Sequence, residues 1–476
     1  MAETTLHDGE LGHMIGLEIH AQLRTESKLF CDCSTDYQKA KGPNEQICPT
    51  CTAQPGTKPF AINAKAMEQA MKIMLALECE EISERIIMQR KHYFYPDLPS
   101  NYQRTSTPLG KKGKLAGVSI WEVHIEEDPG RYDLKTGLVD YNRAGVPLIE
   151  IVTAPEITSP DHARKFLDEL RAILDYLEAA RSDDAGSMRA DANVSVGGHN
   201  RVEVKNINST HGVFSALTYE ISRQKNMVKN GLEIIQETRH YDEEREITIG
   251  LRKKETVDDY RYIPDPDVQP IALDKKRLEE IRKSMPELPR QKMERFKKQY
   301  GASDDEAHVL CSERAMADEY EKAAKQTDPK TAAVFFRGVL KKQLNWRGMP
   351  FGDFVSRGFA AGLEEILSLL SSGKITDKVS EKLLIDLLDG KIPTVAGSIE
   401  KYSKENGLIG MAGPGELSTL VAMALEQNTQ AVKDYKNGEA KALQFLAGKI
   451  IGESMGKADP ELVQKMLKEK LGANTK

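Results

Sequence analysis

The hydrophobic and polar positions of this chain follow two different periods, and the change lies near residue 290. Before it, apolar residues either alternate with polar ones, as in residues 15–23 (IGLEIHAQL), or form short runs that are apolar on both faces, as in residues 146–152 (VPLIEIV). Alternation predicts a strand with one buried face, and a short apolar run predicts a strand covered on both sides. We therefore predict a mainly antiparallel sheet in the first 290 residues.

One helix is predicted within this sheet region. Ser159 is a suitable N-cap, Pro160 occupies the first helical position, and apolar residues recur at helical spacing from there to Leu177. Proline-rich segments follow at residues 262–270 (YIPDPDVQP) and 285–290 (MPELPR). Because proline disrupts both helices and central strands, these segments favour a domain boundary near residue 290.

Beyond that boundary the apolar residues follow a helical period, as in residues 362–370 (GLEEILSLL) and 380–390 (SEKLLIDLLDG). Residues 392–416 contain several glycines and serines and predict a linker before a last helical unit. A chain of 476 residues is long enough for about three domains of ordinary size. The predicted fold class is α+β, with a sheet domain (1–290), an all-α helical domain (291–400) and a small all-α tail domain (401–476).

The net charge of −6 is unusual for a protein that binds nucleic acid. The acidic excess lies in the first 290 residues, however, and the rest of the chain is close to neutral, so local lysines could still contact phosphates. No apolar run reaches the roughly 18 residues that a membrane span requires. The N-terminal segment is polar and lacks the apolar region of a secretory signal. We expect a cytoplasmic protein without membrane contact.

Four of the six cysteines form two short pairs, Cys31-x-Cys33 and Cys48-x-x-Cys51. Two such pairs, separated by a turn-rich segment, can arrange four thiolates tetrahedrally around Zn²⁺, and reducing conditions favour a metal over disulfides. An iron–sulfur cluster and four unrelated buried thiols are the alternatives. We predict a structural zinc site in the loop 31–51.

Carboxylates in apolar strands form a second candidate site. Glu150 interrupts an apolar strand, where an ionised carboxylate is costly unless it is paired or binds a metal. Glu18 and His20 share one face of the first strand, and residues 124–128 (HIEED) add further ligands, with Glu127 predicted on the face of Trp121, Val123 and Ile125. Such a set suits Mg²⁺ or Mn²⁺. Buried salt bridges to arginines are the alternative.

A predicted hairpin carries a second polar surface. Its first strand, residues 187–196, has apolar residues on one face and polar ones on the other, namely Arg189, Asp191 and Asn193. Pairing Val194 with either Val202 or Val204 places Lys205 opposite Asp191 or Asn193. This surface could bind phosphate and metal, although a solvated sheet face would show the same pattern.

Residues 91–106 (KHYFYPDLPSNYQRTS) combine basic, aromatic and hydrogen-bonding side chains. Such aromatics could stack on a base while Lys91 and Arg104 contact phosphates, or they could belong to the core beside a turn. The chain has no Walker-type loop, no G-x-G-x-x-G that opens a helix and no G-x-S-x-G elbow. A hydrolase and a dinucleotide-dependent oxidoreductase are therefore disfavoured.

Eight segments occur in an order that is typical of one protein family. They are IGLEIHAQL, KHYFYPDLP followed by NYQ, HIEEDPGR, VDYNRAGVPLIEIV, GSMRADANVSV, VEVKNINS, QETRHYD and DDYRYIPDPD. Over nearly the whole chain the sequence closely resembles the B subunit (GatB type) of the glutamyl/aspartyl-tRNA amidotransferase. His92 stands where that family usually has asparagine.

The resemblance implies a ligase that forms a C–N bond with glutamine as the amido-nitrogen donor. ATP would phosphorylate the side-chain carboxylate of misacylated Glu-tRNA(Gln) or Asp-tRNA(Asn), and ammonia would then displace the phosphate. An amidase (A) subunit would supply the ammonia, and a small bracing (C) subunit would complete a heterotrimer. A zinc-bearing tRNA-binding scaffold, whose partner carries the chemistry, is the alternative function.

The resemblance also implies roles for particular residues, with domain 1–290 as a catalytic cradle and domain 401–476 as a tRNA-binding tail. The implied catalytic residues are Glu18, His20, Glu127, Glu150 and Lys205, of which His20, Glu127 and Glu150 would hold Mg²⁺; whether Glu126 or Glu127 is the ligand stays open. The implied nucleotide or acyl-phosphate residues are Arg189, Asp191, Asn193 and Asn206, and those for the adenosine end are Lys91, Tyr93, Tyr102 and Gln103. Candidate tRNA contacts are Lys292, Arg295, Lys297, Lys298, Lys449, Lys457, Lys465, Lys468 and Lys470.

Overall fold

The computed structural model describes residues 12–133, 135–180, 186–253, 260–410, 414–454 and 456–472. The chain divides into two compact units, Met1–Pro289 and Arg290–Lys476. The first unit combines a large sheet with helices and the second is helical, so the predicted mixed fold, with the sheet first and the helices after it, is confirmed. The division into three domains stays a prediction. Residues 1–11, in which no secretory signal is predicted, lie outside the described residues.

Helices separate groups of strands along the first unit. The strands are β1 (His13–Gln22), β2 (Glu81–Ile82), β3 (Arg85–Ile86), β4 (Met88–His92), β5 (Tyr102–Ser106), β6 (Gly110–Leu115), β7 (Val118–Glu127), β8 (Arg131–Tyr132), β9 (Val139–Asp140), β10 (Pro147–Thr153), β11 (Met188–Val196), β12 (Val202–Ile207), β13 (Glu237–Asp242), β14 (Ile247–Lys253), β15 (Ile263–Pro264) and β16 (Ile271–Ala272). The helices are α1 (Ala64–Ala76), α2 (Pro160–Tyr176), α3 (Thr210–Lys229) and α4 (Lys275–Ser284).

Twelve of these strands form one sheet in the order β14-β13-β12-β11-β1-β10-β7-β5-β4-β15, and β6 joins both β7 and β2 beside this path. Neighbouring strands are antiparallel except β12 and β13, which are parallel and are joined through α3. The first strand, β1, therefore lies in the middle of the sheet between β10 and β11.

One face of this sheet is apolar and packs against helices. Ile15, Leu17 and Ile19 of β1 are at most 1% exposed and belong to one core with apolar residues of α1, α2 and α3. Helix α2 forms as predicted, because the Ser159 side chain accepts a hydrogen bond from the His162 amide and Pro160 is its first residue. The apolar stripe of α2 is thereby aligned with the sheet.

Strand β7 departs from simple alternation. A register irregularity in its pairing with β10 lies where Val152 and Thr153 face Glu122 and Ile120, so that Trp121 has no partner on β10. Ile120 and Val123 are both buried, whereas Trp121 is 54% exposed. The expectation that Trp121 shares the face of Val123 is wrong, because a β-bulge changes the phase of alternation.

The second unit consists of helices and one π-helical turn, Phe335–Leu340, among the residues that the structure describes. The helices are α5 (Pro289–Tyr300), α6 (Asp304–Leu310), α7 (Arg314–Gln326), α8 (Pro329–Val334), α9 (Lys341–Trp346), α10 (Phe351–Ser356), α11 (Phe359–Ser371), α12 (Asp377–Leu388), α13 (Ser398–Glu405), α14 (Pro414–Gln427), α15 (Thr429–Lys436), α16 (Ala440–Glu453) and α17 (Pro460–Leu471). The last four share a hydrophobic core of their own. No helix within the described ranges is long and apolar enough to cross a membrane.

The predicted linker 392–416 contains a helix, α13, and this expectation is corrected. Gly397 and Gly407 flank the helix in left-handed backbone conformations, and Ile399 and Leu408 are at most 1% exposed. Glycine and serine in sequence favour a linker, but here the glycines bound a short helix that is anchored by two apolar side chains.

We expect Leu170→Ala to lower the free energy of unfolding by about 2–5 kcal/mol, because it opens a cavity between α2 and the sheet. Leu170 is fully buried in that core. Leu138→Ala is the matched control, since Leu138 is 69% exposed and its loss should cost about 0.5 kcal/mol or less. Urea unfolding, followed by circular dichroism, measures both. Equal effects would show that α2 does not pack as described.

Candidate active site

The face of the sheet opposite the helices carries charged and polar side chains. In antiparallel strands, residues directly opposite each other share a face, and His20 faces both Glu150 on β10 and Arg189 on β11. Glu150 in turn faces His124 on β7. We call this surface the polar face; its charged and polar residues on the central strands include Glu18, His20, Glu122, His124, Glu126, Glu150, Arg189, Asp191, Asn193 and Lys205.

Three of these side chains converge near the centre of the polar face. His20 Nε2 lies 3.4 Å from Glu150 Oε1 and 3.6 Å from Glu126 Oε2. One donor atom from each of the three residues lies within 4.8 Å of the others. An imidazole and two carboxylates at this spacing form a donor set that fits a divalent cation. We call this set the carboxylate–imidazole cluster.

The structure brings Glu126, rather than Glu127, into this cluster. Along β7, Glu126 follows His124 onto the polar face, whereas Glu127 lies on the other side. Glu127 Oε2 accepts a hydrogen bond from Arg104 Nη1 at 3.1 Å, and Arg104 Nε also donates to Asp265 at 2.7 Å. The structure thus groups Glu126, and not Glu127, with His20 and Glu150, because the pleat of the strand separates adjacent side chains. A metal at this cluster stays a prediction.

Burial and mutual charge shape the protonation of the cluster. Burial and the nearby Glu150 raise the pKa of Glu126. Burial alone would raise the pKa of Glu150, yet its hydrogen bond with His20 and the surrounding cations lower it. Burial would lower the pKa of His20, but Glu150 and Glu126 outweigh it and raise that pKa. Glu126 and Glu150 thus favour a positive charge between them, which either a proton on His20 or a bound cation can supply.

The predicted hairpin of β11 and β12 is confirmed, with Val194 opposite Val202. Lys205 Nζ donates to Asp191 Oδ2 at 3.1 Å, and Asn193 Nδ2 donates to Glu18 Oε1 at 3.2 Å. Burial acts to lower the pKa of Lys205, but Asp191 and neighbouring carboxylates outweigh it and raise that pKa. Lys205 therefore carries its charge on the polar face.

A β-bulge places Asn206 beside this pair. The β11–β12 register shifts between Ala190 and Ala192, and Asn206 has a φ of 66°. The Asn206 amide nitrogen lies 3.4 Å from Asp191 Oδ1, and its side chain contacts His240 Nδ1 at 3.1 Å. Sequence reasoning missed His240 because β13 reaches the polar face through a parallel pairing that no local pattern indicates.

The residues expected at the adenosine end divide between two sides of the sheet. Lys91 and Gln103 face each other across β4 and β5, and Gln103 Nε2 donates to Glu126 Oε2 at 3.1 Å. Tyr102 faces His92 instead, and its hydroxyl accepts from Arg104 Nη2 at 3.1 Å. Lys91 and Gln103 thus adjoin the cluster, whereas Tyr102 does not.

Aromatic rings surround Lys91. Its Nζ lies 5.1 Å from the centre of the Tyr260 ring, and Tyr93 meets the same ring edge-on at 6.2 Å. Tyr260 also contacts Tyr262 edge-on. Sequence reasoning included Tyr93 but missed Tyr260 and Tyr262, which come from a distant part of the chain; their only local signal is the aromatic-rich YRYIP segment.

The four paired cysteines come together, as the spacing predicts. Their sulfur atoms lie within 4.8 Å of one another, with 4.0 Å between Cys33 and Cys51, and none forms a disulfide. Tetrahedral Zn²⁺ with Zn–S bonds of about 2.3 Å requires S···S separations of roughly 3.8 Å, so the cluster fits this ion. A hydrogen bond from Cys31, assisted by Lys28, lowers the pKa of Cys51 to about 5 despite burial.

In the second unit, the structure corrects part of the expected nucleic-acid surface. Lys292 is only 6% exposed and is bonded to Asp318. Arg295 forms a two-pronged pair with Glu321 at 2.9 Å. These two side chains stabilise the packing of α5 on α7, and their placement removes them from the candidates for phosphate contact.

The chain thus has a sheet domain with a polar face, followed by a helical region. A family model described as the GatB/GatE catalytic domain matches residues 13–279, and one described as the GatB domain matches residues 318–471. The chain therefore belongs to the GatB family.

Several curated relatives are named as the B subunit of an aspartyl/glutamyl-tRNA(Asn/Gln) amidotransferase. The protein from Methanobrevibacter smithii is 47% identical over 96% of this chain and 100% of its own length. Those from Methanothermobacter thermautotrophicus and Methanocaldococcus jannaschii are 46% and 44% identical, each over 96% of this chain and over 99% and 97% of their own lengths.

We expect Glu126→Gln to weaken Mn²⁺ binding to the chain by on the order of tenfold or more, because it removes a carboxylate from the cluster. Glu127→Gln is the matched neighbour and should leave the affinity nearly unchanged, since Glu127 is paired with Arg104. Isothermal titration calorimetry measures both, after thermal melting has shown that each variant is folded. A loss confined to Glu127→Gln would return the ligand role to that residue.

Proposed function

We propose that this chain is the subunit of a tRNA-dependent amidotransferase that activates and amidates the amino acid on the tRNA. ATP phosphorylates the side-chain carboxylate of Glu on tRNA(Gln) or of Asp on tRNA(Asn), and ammonia converts the acyl phosphate into the amide. The observation that carries this proposal is the carboxylate–imidazole cluster with Lys91, Arg189 and Lys205 around it. Family membership and the names of the relatives support the same reaction.

In the first step an oxygen of the substrate carboxylate attacks the γ-phosphorus of ATP, and ADP leaves. Negative charge gathers on the phosphoryl oxygens, so catalysis depends on positioned cationic groups. Lys205 and Arg189 supply such groups from β12 and β11, and Lys91 supplies one from β4. Mg²⁺ or Mn²⁺, when bound by His20, Glu126 and Glu150, would neutralise further phosphate charge.

In the second step ammonia forms a bond to the acyl carbon, inorganic phosphate leaves, and the nitrogen loses a proton. Glu18 is suited to accept that proton, since burial and the neighbouring Glu150 raise its pKa. Asn193 donates to Glu18 and holds the carboxylate in place. Asp191 binds Lys205, and the backbone nitrogen of Asn206 lies against the other oxygen of the same carboxylate.

The adenosine end of a substrate would lie next to Lys91. Tyr93 and Tyr260 offer ring edges and faces there, and Gln103 connects this side to Glu126. Tyr102 stabilises Arg104 from the other side of the sheet and is proposed to act only indirectly. The cysteine cluster would hold a structural zinc ion in the loop 31–51.

The remaining parts of the proposal concern partners. An amidase (A) subunit would supply ammonia, a small (C) subunit would brace the heterotrimer, and the helical and tail domains would bind the tRNA body in the cytoplasm. In the tail, Lys449 lies over the ring of Phe445 at 5.9 Å, and that ring is 51% exposed. Lys457, Lys465, Lys468 and Lys470 are further candidates for phosphate contacts.

The alternative function is a zinc-bearing tRNA-binding scaffold whose partner carries the chemistry. A scaffold has no need of one buried and one half-buried carboxylate beside an imidazole, because such a group is costly to bury without a chemical use. The cluster therefore favours the catalytic proposal.

We expect Glu150→Gln to abolish ATP- and tRNA-dependent amide formation, because it removes the carboxylate that holds His20 and shares the cation. Binding of the misacylated tRNA and assembly with the partner subunits should persist. Amidation by the assembled complex is measured by separating the aminoacyl-adenosine that carries Glu or Asp from the one that carries the amide product. Glu246→Gln, at an exposed position, is the matched control and should be fully active. Full activity of Glu150→Gln would favour the scaffold.

We expect the purified chain to contain one zinc ion, and the double change Cys48→Ser and Cys51→Ser to remove it and lower the melting temperature. Metal analysis by plasma mass spectrometry and thermal unfolding measure the two effects. Cys79→Ala lies outside the cluster and should keep the zinc. Unchanged zinc in the double variant would refute the site.

A further inference from the structure

Asp128, which follows Glu127 at the end of β7, has a carboxylate that is completely buried beside the polar face. Its main chain is fixed on both sides: the amide donates to the Val146 carbonyl at 2.8 Å, and the carbonyl accepts from the Gly145 amide at 2.9 Å. A buried carboxylate must be matched by hydrogen-bond donors to remain charged. The groups that donate hydrogen bonds to Asp128 therefore indicate the role of this carboxylate.

Two side chains satisfy much of this requirement. Gln22 Nε2 donates to Asp128 Oδ2 at 2.7 Å, and Arg143 Nε lies 3.6 Å from Oδ1. Arg143 also donates to the carbonyls of Pro129 and Gly130 at 2.9 and 2.6 Å, so it ties down the loop that follows Asp128. Gln22 thus orients the carboxylate, and Arg143 supplies an opposite charge beside it.

Arg189 is held differently. Its Nη2 donates to Asp128 Oδ1 at 2.7 Å, and among the described residues no other group accepts a hydrogen bond from its guanidinium. The Arg189 side chain is 25% exposed, whereas that of Asp128 is not exposed at all. A guanidinium has five N–H donors in a fixed plane, so most of the donors of Arg189 remain available.

The position of Arg189 in the sheet indicates which face its remaining donors serve. Arg189 lies directly opposite His20 in the β1–β11 pairing, so its side chain leaves the sheet on the polar face, as that of His20 does. A planar fork suits two oxygens of one phosphoryl group, which a lysine ammonium cannot match in the same way. A guanidinium that is already oriented stabilises developing charge without reorganising during the reaction.

We propose that Asp128 is a positioning residue that grips one edge of the Arg189 guanidinium, so that the other edge meets the phosphoryl group during transfer from ATP. This inference rests on the proposed function, because it requires a phosphoryl group at the polar face. It goes beyond that function by assigning a task to a residue that cannot itself touch the substrate.

The test uses the chain assembled with its partner subunits and measures kcat and KM for ATP in amidation of misacylated tRNA. Ammonium chloride serves as the nitrogen donor, so that the amidase partner does not limit the rate. We expect Asp128→Asn to lower kcat on the order of 10- to 100-fold, with KM for ATP changed by about threefold or less. The matched control is Asp161→Asn, which breaks a 2.7 Å pair with Arg164 on the exposed surface of α2 and should leave both constants unchanged.

A double-mutant cycle separates positioning from mere stabilisation. If Asp128 acts through Arg189, Asp128→Asn causes little further loss of kcat in an Arg189→Ala background. Multiplicative losses, or an unchanged kcat for Asp128→Asn alone, would overturn the inference. Thermal melting of each complex is measured alongside, since a structural role would change the melting temperature without this non-additivity.

If Asp128→Asn does not fold, Arg189→Lys decides between the two roles. Its ammonium keeps the charge but cannot bridge Asp128 and a phosphoryl group with a rigid fork, so we expect a loss of kcat close to that of Arg189→Ala. Near-normal kcat of Arg189→Lys would overturn the inference. An inactive unmodified complex would instead refute the proposed function, and this inference with it.

Discussion

In the part of the chain that the structure describes, the helices of the first unit pack against one face of its sheet, so the two faces must differ in chemistry, and the rest of this unit depends on that constraint. In β1 the pleat sends Ile15, Leu17 and Ile19 into the core and Glu18 and His20 to the other side. A slip of one residue would bury both polar side chains and expose three apolar ones, at a cost of several kcal/mol. Hydrophobic burial on one face therefore sets the register that assembles the other face.

The charged side chains of the polar face in turn depend on one another for stability. Carboxylates this close repel one another, and burial raises the free energy of each charge. Lys205, Arg189 and Lys91 supply compensating charge from three different strands, and each is held by an acidic or aromatic neighbour. In the proposed reaction, the cationic groups that compensate the charge of the carboxylates are also those that a phosphoryl group would meet.

Local patterns are sufficient to predict some of this architecture. Alternation identifies β1, and the apolar faces of residues 187–196 and 202–206 identify the hairpin, because both signals lie within a few residues. The α2 helix follows from its cap and first proline. The cysteine spacing likewise predicts the convergence of four sulfur atoms, since a short loop leaves them few other arrangements.

Other features depend on contacts between distant segments, which no local pattern contains. The choice between Glu126 and Glu127 requires the β7–β10 register, and Asp265 binds Arg104 across 161 positions of sequence. The bulge at Trp121 separates this side chain from the face of Val123, where strict alternation would place it. Lys292 has the sequence pattern of an ordinary surface lysine, and only the fold brings Asp318, from another helix, against it.

The cysteine cluster also affects the polar face, because it packs near the end of β7. Gly145 has a φ of 85°, and a Cβ built on it would lie 3.6 Å from Lys28 Cδ, 3.7 Å from Cys51 Cβ and 3.8 Å from Glu127 Oε1. Its amide also donates to the Asp128 carbonyl. The end of β7 is thus confined between the cysteine loop and Arg104. Because Glu126 belongs to the same strand end, the cysteine loop helps to fix where Glu126 lies on the polar face.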